Sequence, residues 1–431
     1  MVFRRLFIAF NTKFWSVLLS KSEFDEILEL MNLKICMITD TYHPSFDGIV
    51  RYLDYLIPEL IKKGHEVTLV CPHFRGEKHS SSPQPGFTII RTWTTRFKFN
   101  AYYFAIPDWR LVRAIRKSDI VILHSLMPLG TFGGLLAKVF RKKVGLFCHH
   151  DERVILQDII HLPKFLVRFL FWLIRKYYTK IVNVFFCATE RFRRKLIWFD
   201  APEDRIFRAP FAIDKKSFHP KPETNLRKRH ELPKNAVICS YLGRLSVEKN
   251  VDNIIRAMDD AMDEIPNLFS MIVGGGPDKE KILNQRRRNE ERFIFTGFIP
   301  EEELQSHYAT SDIFVTPTLN ESSCFTVFEA MTCRVPIITS EKDHDPDIVH
   351  KDNALLISDV LDHNEIKENI LLLAKNENLR QSIAIKGQEL VNNRTWGFHA
   401  DVFLGGIEET MDEPTRKSRK IWRRSKESVG F

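Results

Sequence analysis

The chain has 431 residues, more than one ordinary hydrophobic core accommodates, so two domains are expected. Its 44% apolar and 28% charged content is that of a globular protein and excludes disordered, collagen-like and coiled-coil classes. A net charge of +9 points to an anionic partner, and the seven scattered cysteines, none in a CxxC pair, read as reduced buried thiols rather than disulfides or metal ligands.

Taken in chain order, residues 1–31 open on a basic, aromatic run, MVFRRLFIAFNTKFWSVLLSKSEF. Asn11, Thr12 and Lys13 break its apolar character, so it reads as an interfacial helix or an upstream extension, not as a membrane span or cleaved signal. LKICMITD (33–40) and HEVTLVCP (65–72) are apolar strands flanking a helical pattern that ends at Gly64, which is a β-α-β unit. IVILHS (120–125), KVGLFCHH (143–150) and VNVFFCAT (182–189) continue the alternation. Near-continuous apolar strands with helices between them imply a parallel sheet covered on both faces. Between the last two lies LPKFLVRFLFWLIRKYYTK (162–180), with Lys164, Arg168 and Arg175 on one helical face. This segment suits an anionic membrane surface, or a core helix with snorkelling cations.

A polar, Pro- and Lys-rich stretch at 215–235 resembles a linker, after which the pattern restarts. AVICSYLGRL (236–245), LFSMIVGGGP (268–277), FIFTGF (293–298), DIFVTPT (312–318) and VPIITS (335–340) are strands of a second half. The expected organisation is an extension at 1–31, a Rossmann-like domain at 32–210, a linker at 211–235 and a second Rossmann-like domain at 236–388. A helix at 389–412 then returns towards the first domain, and a basic tail occupies 413–431. Doubly wound halves of this kind take ligands in the crevice beyond the carboxyl ends of their strands, so chemistry belongs in the loops just after strands.

Those loops hold the unusual residues. NESSCFTVFEA (320–330) isolates Glu321 and Glu329 in a chain rich in cations. Ser322 or Ser323 caps a helix starting near Cys324, which places Glu321 on the loop and Glu329 two turns into the helix. A helix N-terminus suits phosphate and carboxylates suit sugar hydroxyls, so the pair fits either side of a sugar diphosphate; a capping glutamate plus a solvated one is the plainer alternative. In GRLSVEKN (243–250), Arg244 and Lys249 supply a guanidinium fork and a point charge for a diphosphate, or form a basic surface turn. VGGGP (273–277) places Gly275 in a turn that permits close backbone approach. In the first half, Asp47 and Gly48 head the first helix as a second anion site, and His149 and His150 follow a buried strand.

The order of these motifs resembles the retaining GT-B glycosyltransferases of family 4, over roughly residues 32–405. DTYHP…DG resembles the first glycine loop, and HSLMPLG (124–130), with His124, the strand end facing the acceptor. GRLSVEKN resembles the phosphate-binding motif, the block from Phe295 to Met331 the most specific signature, and TWGFHADVF the closing helix. The resemblance implies an α/β fold of two Rossmann-like doubly wound domains with a crevice between them. It also implies that Glu329 binds ribose, that Glu321, Cys324 and Phe325 hold the donor sugar, and that Arg244 and Lys249 stabilise the departing diphosphate without a metal. Gly275 and Gly48 would border the donor and His149 would line the sugar site. The chain departs from the family at Ser323-Cys324 (usually Phe-Gly), Cys333-Arg334 (usually Cys-Gly), Phe211-Ala212-Ile213-Asp214 (usually Asn-Gly-Val-Asp) and DHDPD at 343–347.

The resulting expectation is a hexosyltransferase using a UDP- or GDP-sugar, with no cofactor or metal, acting on a membrane lipid or lipid-linked glycan. It would sit peripherally on the cytoplasmic face of an anionic membrane, a placement that the tail RKSRKIWRRSKE (416–427) also suits. A family member acting on a soluble sugar phosphate or polysaccharide, and a non-catalytic membrane-binding protein on the same scaffold, are the alternatives. Nucleic acid is not an expected partner, since no zinc-ligand, RNP-like or recognition-helix pattern occurs.

Overall fold

The computed structural model describes residues 32–44, 48–74, 84–99, 102–149, 163–220, 225–319, 325–341 and 345–412. The N-terminal extension, the basic tail, Asp47, His150, Glu321, Ser322, Ser323 and Cys324 lie outside the described residues. The chain divides into two compact units. One holds the residues up to Cys187, Lys195–Phe207 and those from Ala400 on; the other holds Ala188–Arg194 and Arg208–His399.

In the first unit, strand β1 (Lys34–Ile38) leads to helix α1 (Gly48–Lys62) and strand β2 (Glu66–Pro72). Gly64 ends the helix with φ +89°, a left-handed turn that costs glycine little. Strands β3 (Phe87–Phe99) and β4 (Tyr102–Ile106) follow, then α2 (Trp109–Lys117), β5 (Ile120–Leu123), α3 (Pro128–Val139) and β6 (Lys143–Cys148). Next come α4 (Lys164–Lys180), β7 (Val184–Cys187), α5 (Glu190–Trp198) and the short β8 (Ile206–Arg208). The sheet order is β4-β3-β2-β1-β5-β6-β7-β8. β1 lies parallel between β2 and β5, with Ile38 opposite Val70 and Leu123. Every residue of β5 and β7 is buried, as continuous apolar runs with both faces covered require.

The antiparallel β3–β4 pair at the sheet edge is absent from the sequence reading. Its sequence, FTIIRTWTTRFKF, interleaves apolar and polar residues, so it lacks the unbroken apolar run that marked the other strands. Helix α4 buries only Val167 and Tyr178 of its seventeen residues and leaves Phe165 75%, Phe169 53% and Trp172 52% exposed. It is therefore no core helix.

The second unit begins its sheet with β9 (Val237–Leu242), after the single turn α6 (Leu226–Arg229). Leu226 is buried and Arg227 pairs with Asp312 at 2.9 Å, so the later part of the polar 215–235 stretch is folded onto this unit. Then follow α7 (Val251–Met262), β10 (Leu268–Val273), α8 (Lys279–Leu283), β11 (Phe293–Gly297), α9 (Glu301–Thr310), β12 (Ile313–Thr316) and α10 (Phe325–Thr332). The unit closes with β13 (Ile337–Ser340), β14 (Leu355–Ile357), α11 (His363–Lys375) and α12 (Glu377–Val391), before α13 (Trp396–Asp412). Its sheet runs β11-β10-β9-β12-β13-β14, and the paired strands are parallel throughout. Apolar residues of α7 and α11, including Ile254, Met258, Ile366 and Ile370, build the core on one face of it. Residues of α13 beyond Ala400 pack with the first unit, Phe403 lying 4.6 Å from Phe186 between ring centroids.

Six cysteines are buried free thiols among the described residues, and burial pushes Cys36 and Cys71 up to about 12. No helix among the described residues is long and apolar enough to cross a membrane.

Candidate active site

The carboxyl end of the second sheet is built from three stacked turns. The turn after β9 carries Gly243 and Arg244, the turn after β10 carries Gly274–Gly276, and Gly297 ends β11. Backbone bonds tie them together: Gly243 N donates to Val273 O, Leu245 N to Gly275 O and Gly274 N to Gly297 O, all at 2.9–3.0 Å. A side chain at Gly274 would place its Cβ 1.9 Å from Gly243 O, and one at Gly276 2.2 Å from Leu245 O. These two glycines are forced by packing. At Gly275, the expected ligand neighbour, a Cβ would meet only Phe298 Cβ, at 3.9 Å, an ordinary van der Waals contact. Tyr241 steadies the first turn, its hydroxyl donating to Arg244 O at 2.8 Å.

That arrangement leaves the Arg244 side chain exposed, with no partner among the described residues. Lys249 is half-buried at the end of a 3-10 turn, Val247–Lys249. Asn250 follows it with φ +60°, and its side-chain amide donates to Pro317 O at 3.2 Å and Val360 O at 2.6 Å. Leu319 N donates to Glu248 O at 2.9 Å. Leu319, which follows β12, thus lies beside the Lys249 turn, some seventy residues earlier in the chain.

Glu329 lies on the inner side of α10 and is buried. Its Oε2 accepts from the Tyr308 hydroxyl at 2.7 Å. The sequence offered no signal for Tyr308, which sits on α9 and is fully buried between Phe218 and Phe314. Phe325, the first residue of α10, packs against Phe211 and Trp396, with centroids 4.8 and 6.4 Å away. Its ring is engaged in an aromatic cluster that His399 completes, 5.3 Å from Trp396.

The departures from the family pattern acquire physical reasons here. Phe211 fills that aromatic cluster, and Asp214 accepts from Lys216 N at 3.0 Å and Ser217 Oγ at 2.6 Å. In the 343–347 segment, Asp345 and Asp347 answer two arginines. Arg394 donates to each at 2.7 Å, and Arg208 reaches both at 3.0 and 3.1 Å. Burial alone would raise Asp345, but the Arg394 contact, the Asp347 N–H and Arg208 hold it below the usual carboxylate range. Arg334 occupies the left-handed position after α10, at φ +59°, where glycine is usual.

The first unit presents a separate cluster at the carboxyl ends of β1, β5 and β6. His124 Nδ1 and His149 Nε2 share a hydrogen bond at 3.0 Å, and both rings lie against Tyr52, with centroids 5.8 and 4.9 Å away. Burial pushes His124 down to about 3, so it is neutral at physiological pH. Asp40, at the end of the β1 turn, accepts from Ser125 Oγ at 2.5 Å, Leu129 N at 3.0 Å and Gly130 N at 3.2 Å. It caps α3 from across the sheet, a role that only the fold reveals. Burial raises Asp40 despite those three donors. Gly48 opens α1 with clear space around its Cα.

Solved structures share this architecture. Sucrose-phosphate synthase from Thermosynechococcus elongatus superposes with a TM-score of 0.69 and 17% identity, covering 88% of this chain and 99% of that one. Anabaena HepE, solved with UDP and glucose, gives 0.67 and 13%, covering 88% and 100%. The fold is GT-B, two parallel-sheet α/β domains, as expected from the motif order. Residues 46–216 match the profile of Glycosyltransferase Family 4, and residues 222–390 that of Glycosyl transferases group 1. A GDP-mannose-dependent alpha-(1-6)-phosphatidylinositol monomannoside mannosyltransferase of Mycolicibacterium smegmatis is 25% identical over 335 residues, 73% of this chain and 82% of that protein. An alpha-monoglucosyldiacylglycerol synthase of Acholeplasma laidlawii is likewise 25% identical, over 72% and 81%. The chain is a family 4 glycosyltransferase.

Proposed function

We propose that this enzyme transfers a hexose from a UDP- or GDP-sugar to a lipid-linked acceptor at an anionic membrane surface, with retention of configuration. The observation that carries the lipid acceptor is an uncovered apolar face on the first unit. Helix α3 exposes Phe132, Leu135 and Val139, and α4 exposes Phe165, Phe169, Trp172 and Leu173. The two helices are neighbours, the Tyr177 hydroxyl of α4 donating to Thr131 O of α3 at 3.1 Å. Lys176 lies against Trp172, 5.9 Å from its ring, and Arg168 is on the exposed side of α4. Aromatic side chains among cations suit the boundary between acyl chains and anionic headgroups, and each withdrawn from water contributes roughly 1.5–3 kcal/mol. The names of the two relatives above, both lipid glycosyltransferases, agree with this reading.

In this reading the donor sits on the glycine turns of the second unit. Arg244 and Lys249 neutralise the departing diphosphate, Glu329 accepts from the ribose hydroxyls, and Glu321 and the backbone at Cys324 hold the sugar. His149 lines the sugar side. Electrostatic stabilisation of the leaving group is the main catalytic device and requires no metal. The test is transfer from labelled UDP- and GDP-hexoses into a membrane-lipid extract, with Glu329→Ala alongside. Label in an organic-soluble product, lost in the variant, is expected. Label confined to water-soluble product would remove the lipid acceptor.

A further inference from the structure

The first unit has a second cleft, whose lining includes none of Asp40, His124 and His149. Helix α2 lies over β1, β2 and β3 beside a cleft of about 850 Å³ that runs from Lys34 and Glu66, at the amino ends of β1 and β2, to Arg91, which pairs with Cys71 near the carboxyl end of β2. Lys34, Arg91, Arg110, Arg113 and Lys117 line this space, against one carboxylate, Glu66. Arg110, Arg113 and Lys117 recur at helical spacing, so α2 presents them on one face.

Three of the five cations are already occupied. Lys34 lies 3.8 Å from Glu66, Arg91 donates to Pro72 O at 3.1 Å, and Arg110 donates to Arg91 O at 2.5 Å and lies 3.7 Å from Asp108. Arg113 and Lys117 are exposed to the cleft and have no hydrogen-bond or ion-pair partner among the described residues. Opposite them stand the hydroxyls of Thr68 and Thr88, which face one another across β2 and β3. Trp109, 63% exposed, borders the same space. Like charges gathered in a partly enclosed cleft repel one another until an anion enters it. The volume is that of a small-molecule site.

We propose that this cleft binds a phosphate-bearing ligand, at a site separate from that of the donor. Arg113 and Lys117 supply the charge-assisted bonds and the two threonine hydroxyls the neutral ones. A soluble phosphorylated metabolite and the phosphomonoester headgroup of a lipid share this chemistry.

Calorimetric titration of the full chain with pyrophosphate tests it, using wild type, Arg113→Glu/Lys117→Glu and Arg244→Ala. Wild type and Arg244→Ala are expected to share a binding event that weakens roughly tenfold for each contact removed in the double variant. Arg113→Gln/Lys117→Gln gives the same readout should charge reversal impair folding. Flotation with phosphatidylcholine vesicles, with and without phosphatidic acid, separates the sources. Phosphatidic-acid-dependent recruitment that falls in the double variant identifies the headgroup. Loss of pyrophosphate binding with unchanged flotation identifies a soluble ligand. Double variants that match wild type in both assays overturn the proposal.

Discussion

Replacing Tyr308 with phenylalanine removes one oxygen from the interior of the second unit. The ring keeps its edge-on contacts with Phe218 and Phe314, at 5.9 and 5.6 Å, so packing is conserved. What disappears is the 2.7 Å bond to Glu329, between two buried side chains. A hydrogen bond to a charged partner contributes about 1.5–3 kcal/mol net. Tyr308→Phe, Glu329→Leu and the double variant form a cycle whose coupling isolates that bond, since leucine is close to glutamate in size and offers no acceptor. Urea denaturation, followed on the transition of the second unit, is expected to give a coupling of about 1.5–3 kcal/mol. A value within about 0.5 kcal/mol of zero would mean that Tyr308 does not hold Glu329. Nucleotide affinity is then read on the same proteins. With Glu329 as the ribose acceptor, Glu329→Leu weakens UDP or GDP binding by roughly tenfold, the loss of one good hydrogen bond. Tyr308→Phe weakens it less, because the carboxylate survives without its anchor. Intact coupling with unchanged nucleotide binding in both variants would make the pair structural and refute the ribose role.

Arg334→Gly is expected to stabilise the second unit by about 0.5–1 kcal/mol, since a left-handed backbone strains any residue with a Cβ; a fall in denaturation midpoint would mean that the Arg334–Gln388 hydrogen bond outweighs the strain. His124 makes the first unit sensitive to acid. Its folded pKa, about 3, lies below the ordinary 6.5, so the unfolded chain takes up the proton first and stability is lost as pH falls from about 6.5 towards 3. The slope is about 1.4 kcal/mol per pH unit, and His124→Gln should remove it in denaturation series at about pH 7.5 and 5.5; equal slopes in both proteins would contradict the burial argument.

The parallel sheets were legible because buried strands must be apolar along their whole length, and every strand recognised by such a run is present in the structure. The β3–β4 pair was not, because at the edge of the sheet alternation is enough and its polar residues interrupt the run. Motif order alone identified the family. Individual roles were less legible. Gly275 drew attention as the centre of a glycine run, yet the close packing falls on Gly274 and Gly276, whose neighbours come from the turn after β9. Phe325 read as a ligand neighbour, and its ring lies in a cluster with Phe211, Trp396 and His399.

Local chemistry, then, was settled by the sequence: where apolar runs form strands, where glycines turn the chain, which loops carry cations and carboxylates. Partnerships were settled only by folding. Asp40 caps a helix that begins 88 positions later, Tyr308 holds Glu329, and Arg394 joins Asp345 and Asp347. These pairs have no common period or spacing, because hydrogen bonds and ion pairs depend on distance in space, which the chain's numbering does not record.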